Sequence, residues 1–233
     1  MKEGRLKSIE ISKIDMKNCW FNPGCALCVY KPESANRVLK ILNEYFGEVK
    51  LHSICCHHNP KLPKGATIIN NCAGCDRRFR SLYEGIETIS LWEILDSLED
   101  LPLPKYERLT LSVHDSCSYR PKPQVHRAVR SLLNKMGIKV IDSEFSGTKS
   151  ICCGDNLFGR VPLEKVHEFQ KKRASQMPCD EVAVYCVSCI KSMLIGGKEP
   201  RYMVDLLLGE STEAQERDLV KYHKTVQDYI DSH

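Results

Sequence analysis

The chain lacks the features that mark a membrane-spanning, nucleotide-binding or exported protein. No run approaches the roughly 18 consecutive apolar residues of a spanning helix. No Gly-x-Gly-x-x-Gly follows a predicted strand and no Gly-x-x-x-x-Gly-Lys-[Ser/Thr] occurs, so we expect no nicotinamide, flavin or nucleotide site. Residues 1–14 carry scattered charges without an apolar core or a small-residue cleavage site, so we expect no secretory signal. These absences favour a cytoplasmic protein without a nucleotide cofactor of its own.

The charge balance gives no sign of a nucleic-acid partner. The net charge is only +4, and the basic residues are spread along the chain. The two densest basic groups, residues 76–80 and 171–173, the latter within a predicted helix, are interpreted as solvated faces. No basic stretch is interleaved with aromatic residues, so we expect no nucleic acid among the partners.

Cysteine is the unusual component, with 13 among 233 residues. The count is odd, and a disulfide framework is not expected in a protein that is not exported. A chain of this length can bury a core without metal ions to hold it together. Thiols kept in a reducing compartment are usually metal ligands or redox catalysts, and we expect one of these roles.

An internal duplication organises the cysteines. Residues 53–56 and 150–153 share the tetrapeptide Ser-Ile-Cys-Cys. Each copy is preceded by a cysteine, an amphipathic helix that ends at a glycine, and a short β-rich run, and each is followed by an apolar run that leads into Cys-x-x-Cys. The helices are predicted from Ala35, Val38, Leu42, Tyr45 and Phe46 in the first copy and from Val125, Val129, Leu132, Leu133 and Met136 in the second.

This alternation predicts an α/β fold of two tandem βαβ-type, Rossmann-like units with mostly parallel sheets. Ligand sites of such sheets lie at the carboxyl ends of the strands, so the cysteines should converge on one edge. Two prolines in residues 101–105 separate a predicted helix (90–98) from a strand (109–113). We therefore predict a first, trimmed unit (1–104), a second, complete unit (105–210) and a polar helical tail (211–233) that packs lightly or reaches a partner and shows no chemistry.

The two units differ in the segment between the Cys-Cys pair and the Cys-x-x-Cys pair. In the second, a helix over 163–177 is predicted, with Leu163, Val166, Phe169 and Ala174 as its buried face. In the first, the prolines and glycine of residues 57–71 leave no room for a comparable helix.

Each unit supplies five cysteines from three segments, although a cubane cluster needs only four. The first cysteine set is Cys25, Cys55, Cys56, Cys72 and Cys75, and the second cysteine set is Cys117, Cys152, Cys153, Cys186 and Cys189. Two other arrangements stay open. Cys25, Cys28, Cys72 and Cys75 would complete a zinc site of four thiolates. A thioredoxin-like dithiol at Cys186 and Cys189 would leave the rest of its set without a role.

Three motifs in the second half carry a resemblance to a known family. These are His-Asp-Ser-Cys (114–117), Cys-Cys-Gly (152–154) and Cys-Val-Ser-Cys (186–189), with residues 118–151 between the first two cysteine groups and residues 154–185 between the last two. The second half resembles the cysteine-rich CCG domain of the catalytic subunit of heterodisulfide reductase and its relatives in lactate-utilisation and anaerobic glycerol-3-phosphate dehydrogenase systems. The first half is similar through residues 23–25, 55–56 and 72–75, but it has a short second gap and His57 in place of the motif's glycine.

The resemblance implies a noncubane [4Fe-4S] cluster on the second cysteine set and a similar one on the first, where zinc stays open. In that family thiolates bridge irons as well as cap them, and the substrate disulfide is reduced with its sulfurs reaching iron. It therefore implies an iron–sulfur thiol–disulfide oxidoreductase of anaerobic metabolism, acting on a small disulfide with electrons from a ferredoxin or flavoprotein. Gly154 should let the backbone approach the cluster closely and take an unusual φ.

Several further residues are candidates for chemistry. His114 lies three residues before Cys117 and either gives a proton to a departing thiolate or only hydrogen-bonds a loop. His57 and His58 either replace a ligand or supply protons in the first site, or are exposed loop residues.

Three cysteines lie outside the two sets. Cys19 and Cys28 flank the first ligand and could exchange with it, whereas Cys179 is expected to be a buried apolar residue. Two other functions remain as alternatives: a non-catalytic electron-transfer or assembly subunit with one cluster and one structural zinc, and a zinc-stabilised interaction module.

Overall fold

A computed structural model of the protein describes residues 14–213 and 217–233. Residues 1–13 lie outside this description, and with them all but the last residue of the stretch in which no secretory signal is expected. Three residues of the tail, 214–216, also lie outside it. Among the described helices, none has the length and apolar character needed to cross a membrane.

The first unit is a four-stranded, all-parallel sheet with helices packed on it. The strand order is β2-β1-β3-β4. Its elements are β1 (Cys19–Asn22), α1 (Cys25–Tyr30), α2 (Pro32–Phe46), β2 (Lys50–Leu51), β3 (Thr67–Asn70), α3 (Ala73–Leu82), β4 (Glu87–Ser90) and α4 (Leu91–Asp96).

The second unit repeats this plan with the strand order β6-β5-β7-β8, again all parallel. Its elements are β5 (Thr110–His114), α5 (Pro123–Lys135), β6 (Lys139–Val140), α6 (Leu163–Ser175), β7 (Glu181–Val184), α7 (Val187–Ile195), β8 (Glu199–Tyr202) and α8 (Met203–Leu208), and the tail helix is α9 (Leu219–Ser232). The predicted α/β class with two parallel units is confirmed.

The equivalent helices α2 and α5 form as the sequence predicts. Each begins with a proline in its first turn, where the missing N–H costs nothing. Each is followed by a glycine with positive φ, Gly47 at 86° and Gly137 at 78°. The apolar residues from which α5 is predicted are buried throughout, whereas in α2 the Tyr45 ring lies at the surface.

The buried face of α6 differs from the predicted one. Leu163 and Phe169 are exposed, by 36% and 49%. The buried residues of α6 are Val166, Gln170, Arg173 and Ala174. Polar side chains are tolerated here because they find partners: Gln170 Nε2 donates to Ser192 Oγ at 3.2 Å, and Arg173 has three acceptors. The interpretation of residues 171–173 as a solvated face is therefore wrong for Arg173.

The basic group at residues 76–80 is also only partly solvated. Asp76 is fully buried at the start of α3 and accepts from Arg80 at 2.9 Å and from Lys122 at 3.2 Å. Lys122 belongs to the second unit, so this buried ion pair ties the two units together.

One continuous hydrophobic core includes residues of both units. Helix α4 packs on α5 across the segment 101–105, and the Trp92 ring meets Tyr185 edge-on at 6.1 Å. All strands of the first sheet precede this segment in the sequence, and all strands of the second sheet follow it.

The tail is helical as predicted, but the expectation that it packs lightly is wrong. Helix α9 packs on α1 and buries Tyr222 and Ile230. Its last turn receives a hydrogen bond of 2.9 Å from His58 Nε2 to the Ile230 carbonyl. The tail therefore reaches the cysteine loops of the first unit.

Candidate functional site

Every cysteine group of the two sets follows the carboxyl end of a parallel strand. In the first unit Cys25 follows β1, the adjacent pair follows β2, and Cys72 follows β3. The second unit repeats this with β5, β6 and β7. The sheets therefore gather each set at one edge, as the strand pattern predicts.

The sulfur atoms of each set form one continuous chain of hydrogen-bonded neighbours. In the first set the order is Cys25, Cys55, Cys56, Cys75 and Cys72. In the second set it is Cys117, Cys152, Cys153, Cys189 and Cys186. Equivalent positions occupy equivalent places in the two chains. The duplication is thus one of site geometry as well as of sequence.

The first cysteine of each adjacent pair has the most strongly lowered thiol pKa. The thiols of Cys25 and Cys56 donate to Cys55 and lower its pKa far below that of an ordinary thiol. Cys152 receives the same two kinds of donor, and its pKa is lowered likewise. The amide of Gly154 also donates to Cys152 Sγ at 3.3 Å. These two sulfurs are the ones best prepared to be thiolates, the form that binds metal.

The Cys-x-x-Cys pairs sit at helix N-termini. Cys72 is the N-cap of α3 and Cys186 is the N-cap of α7. Backbone amides of the first turn and the helix dipole both favour a thiolate at this position.

Gly24 lets the backbone come close to the first set. Its φ is 78°, and a Cβ there would lie 2.9 Å from Cys72 Cβ and 3.6 Å from Cys75 Sγ. Any larger residue would push into the space between the two sulfur-bearing loops. This role was expected of Gly154 in the second unit.

Gly154 faces helix α6 where a Cβ would stand. Its φ of 100° is unusual, as predicted. A Cβ there, however, would meet Gln170 Cγ at 3.1 Å and Phe169 Cβ at 3.3 Å. The close approach of this glycine is to α6, because the complete unit has a helix packed against its Cys-Cys loop.

His114 ends β5 beside the second set and is almost completely buried. Its ring nitrogen and the sulfurs of Cys153 and Cys189 lie within 4.8 Å of one another. Arg173 Nε donates to His114 Nδ1 at 3.1 Å, so the ring proton of the neutral form is on Nε2. Nε2 has no hydrogen-bond partner among the described residues. The geometry therefore makes this atom a donor to sulfur rather than a metal ligand.

The charge state of His114 fits this donor role. Burial, together with the positive charge of Arg173, lowers its pKa to about 3. The ring stays neutral near pH 7 and carries no second proton to give, so its role is to orient and hydrogen-bond.

Asp115 braces the loop that holds Cys117. Burial alone would raise its pKa, but two hydrogen bonds from Arg130, at 2.8 and 3.0 Å, outweigh this and lower the pKa. The carboxylate also accepts from the Gly147 amide at 2.6 Å and from the Tyr185 hydroxyl at 2.9 Å. A buried carboxylate with four donors fixes the loop between β5 and α5.

Sequence reasoning missed Lys191 and Asp155, which lie beside the second set. Lys191 is fully buried on α7, and its Nζ is 3.4 Å from Asp155 Oδ1. Burial lowers the pKa of Lys191, while Asp155 opposes the shift. The only available signal was position, because each residue follows a cysteine of the set by two places.

A small cleft lies over the first set. Cys25, Cys55, Cys56 and Cys75 line it, together with Cys28 and Tyr229 of the tail helix. The Tyr229 hydroxyl donates to Cys28, whose pKa is raised by burial despite this bond. Cys28 therefore faces the tail helix, and it takes no place in the chain of sulfurs formed by the five others.

The other candidate residues outside the two sets do not join either chain of sulfurs. Cys19 is fully buried in β1, at the strand end opposite the ligands, so the expectation that it exchanges with Cys25 is wrong. Cys179 is partly exposed rather than buried. His57 is exposed, whereas His58 bonds the tail helix.

The two sets lie next to each other across buried tyrosines. The charges of both Cys186 and Cys72 act on the Tyr202 hydroxyl, which accepts from Asn71 at 3.0 Å. Both cysteines act in the same way on Tyr222 of α9. The sites thus share one protein wall and are not at opposite ends of the molecule.

The donor sets fit an iron–sulfur cluster by their chemistry. Five sulfurs linked as successive neighbours, with one Cys-x-x-Cys pair of each set at a helix N-terminus, match the preference of such clusters for thiolates. The orphaned His114 Nε2 is suited to a hydrogen bond with a cluster or ligand sulfur, a contact that tunes such centres.

No protein-family model and no curated protein matches the chain. Among solved structures, glutamate racemase isoform RacE1 from Bacillus anthracis is similar with a TM-score of 0.38 and 10% sequence identity, over 90% of this chain and 81% of that one. A likeness at this level assigns no function to the chain.

Proposed function

We propose that the protein is a cytoplasmic iron–sulfur oxidoreductase that reduces a low-molecular-weight disulfide to two thiols. The observation that supports it most is the repetition of five sulfurs in the same spatial order at two sheet edges. A zinc site or a dithiol uses at most four of them. The resemblance to the CCG domain points to the same chemistry.

The two cysteine sets would each hold one [4Fe-4S] group of the noncubane type. Such a group supplies single electrons and iron atoms open to sulfur. The protein's part is to hold five thiolates in fixed order, with helix N-termini and the His114 Nε2–H group favouring their charge.

The cleft over the first set is the proposed substrate site. Reduction of the disulfide takes two electrons and two protons and releases two thiols. The hydroxyl of Tyr229 and the thiol of Cys28 line the cleft and are placed to hydrogen-bond a departing thiolate. Since the sequence has no nucleotide motif, a reduced ferredoxin or flavoprotein is the proposed electron source.

The first experiment is metal analysis of the anaerobically purified full chain. We expect about eight irons with matching sulfide, four on each set. Cys55→Ser and Cys152→Ser should each remove about half of the iron, while Cys179→Ser, outside both sets, should remove none. About two zincs without iron would overturn the proposal.

The second experiment separates a reductase from an electron-transfer subunit. Protein with both sites loaded is reduced with dithionite, freed of excess reductant and mixed with cystine or oxidised glutathione under argon. Reoxidation with release of two thiols per disulfide supports the reductase. Loaded, reduced protein that is not reoxidised by any small disulfide but is reoxidised by a ferredoxin would instead identify an electron-transfer subunit.

A further inference from the structure

Lys191 is a buried cation that the proposed function leaves without a role. Its side chain is 0% exposed and forms an ion pair with Asp155 at 3.4 Å, but no well-aligned hydrogen bond among the described residues. The face of Tyr222, from α9, covers the ammonium group at 3.0 Å from the ring centroid. Burying a charge with so little compensation is costly, so its surroundings indicate what it stabilises.

The surroundings of Lys191 belong to the second cysteine set. It lies on the second turn of α7, two residues after Cys189. Cys153 and Cys186 both lie close enough to act on the ammonium group once they are thiolate ligands. Ser188, three residues earlier on the same helix face, bonds the hydroxyl of the same Tyr222 at 3.1 Å. Helix α9 therefore covers the lysine, holds it beside the second cysteine set and shields it from water.

We propose that Lys191 is a positioning residue that raises the reduction potential of the second site. An electron added to a centre held by five thiolates adds negative charge to a region that is already negative. A fixed cation in a poorly hydrated place stabilises the reduced form more than the oxidised one. This inference rests on the proposed function, because it requires a redox-active group on the second set.

The first unit provides a matched position without this effect. Arg77 lies two residues after Cys75, as Lys191 lies two residues after Cys189. Arg77 is exposed, so water screens its charge. The same kind of cation at the same sequence position is thus buried in one unit and solvated in the other.

The test is a redox titration of the anaerobically loaded full chain, followed by EPR. Signals are assigned to the two sites with Cys55→Ser and Cys152→Ser. Lys191→Met keeps an unbranched side chain one atom shorter and removes its charge. We expect the reduction equilibrium constant of the second site to fall about tenfold, which is about 59 mV for one electron. Arg77→Met should leave both potentials unchanged. Iron and sulfide content should not change in either variant.

A charge cycle distinguishes tuning from a structural role. Asp155→Asn should shift the second potential upward, and the double variant with Lys191→Met should return it close to the wild-type value. If the single lysine variant does not bind its cluster, the potential of the double variant is compared with that of Asp155→Asn instead. The same downward shift is expected in that comparison.

The outcomes separate the two proposals. A loaded Lys191→Met protein with an unchanged potential overturns this inference alone. Loss of the second cluster from both lysine variants assigns Lys191 a structural role and also overturns it. Wild-type protein that binds no iron overturns the proposed function, and this inference with it.

Discussion

His52 is a buried histidine whose two ring nitrogens are satisfied only in the neutral form. It is 4% exposed. Its Nε2–H donates to the Pro60 carbonyl at 3.1 Å, and its Nδ1 accepts from the Asn22 amide, also at 3.1 Å. A second proton on Nδ1 would face a donor, and burial lowers the pKa of the ring.

This arrangement predicts a loss of stability in acid. Because the folded pKa lies below the unfolded value of about 6.5, the stabilisation is fully present above that pH and is lost as the pH falls through and below it. We expect the free energy of unfolding, measured with urea in anaerobic metal-free protein, to fall between pH 7.5 and 5. His52→Gln should remove part of that fall. His57→Gln, at an exposed position, should leave it unchanged.

Residue types could be assigned from the sequence more easily than residue environments. The ten cysteines of the two sets were found because their spacing repeats in the sequence. Lys191 and Arg173 were missed as buried cations, because an isolated lysine or arginine in a helix normally indicates a solvated face. Their burial depends on partners distant in sequence: Asp155 for Lys191, and His114 for Arg173.

At the scale of elements, the entry to α1 is the most constrained point of the first site. Gly24 is the N-cap of α1 with φ 78°, and its missing Cβ leaves room for Cys72. Gly47 caps α2 with a similar φ of 86°, but nothing lies within 4 Å of its missing Cβ. Both glycines have a positive φ, although their ψ angles differ (143° and −74°), and only Gly24 has a close neighbour at its missing Cβ.

This pair makes a controlled prediction. Gly47→Ala should lower the free energy of unfolding by about 1 kcal/mol, the cost of a positive φ for alanine. Gly24→Ala should cost about 1–3 kcal/mol more, because either Cys72 or α1 must move. Iron bound to the first set should fall only in Gly24→Ala. Equal losses of stability, with full iron in both variants, would contradict the close approach of Gly24 to Cys72.

The elements that were predicted are those with a strong periodic pattern. Helices α2 and α5 and the buried strands β3 and β7 fall close to their expected places. Strands β4 and β8 were not predicted, because each has four residues with polar members, and β8 contains Pro200. Both lie at sheet edges, where a proline and polar residues are tolerated.

At the scale of the whole molecule, the two units do not behave as separate bodies in their packing. The core is continuous between them, and Trp92 of α4 is fully buried beside Tyr185. The buried Asp76–Lys122 ion pair and the Asn71–Tyr202 hydrogen bond also cross between them. The sequence indicated a duplication and a linker at residues 101–105, but duplication alone cannot tell whether two units share a core.

The shared core predicts that neither half folds well alone. A fragment of residues 105–233 would expose the face of α5 and the ring of Tyr185 that α4 covers, and it would leave Lys122 without Asp76. Uncovering apolar surface at about 25 cal/mol per Å² costs more than the 5–15 kcal/mol by which domains are usually stable once several hundred Å² are exposed.

We therefore expect each fragment, 1–104 and 105–233, to show broad, non-cooperative thermal unfolding by circular dichroism, and the mixture to regain one sharp transition. The intact chain should unfold in a single step, with Trp fluorescence and circular dichroism changing together. The control is the intact chain with Leu82→Ala, a replacement at a residue that is 55% exposed, which should keep that single step. Fragments that unfold sharply and independently would mean that the interface is only a contact between finished domains, and the tail helix would then be the main tie between the two cysteine sets.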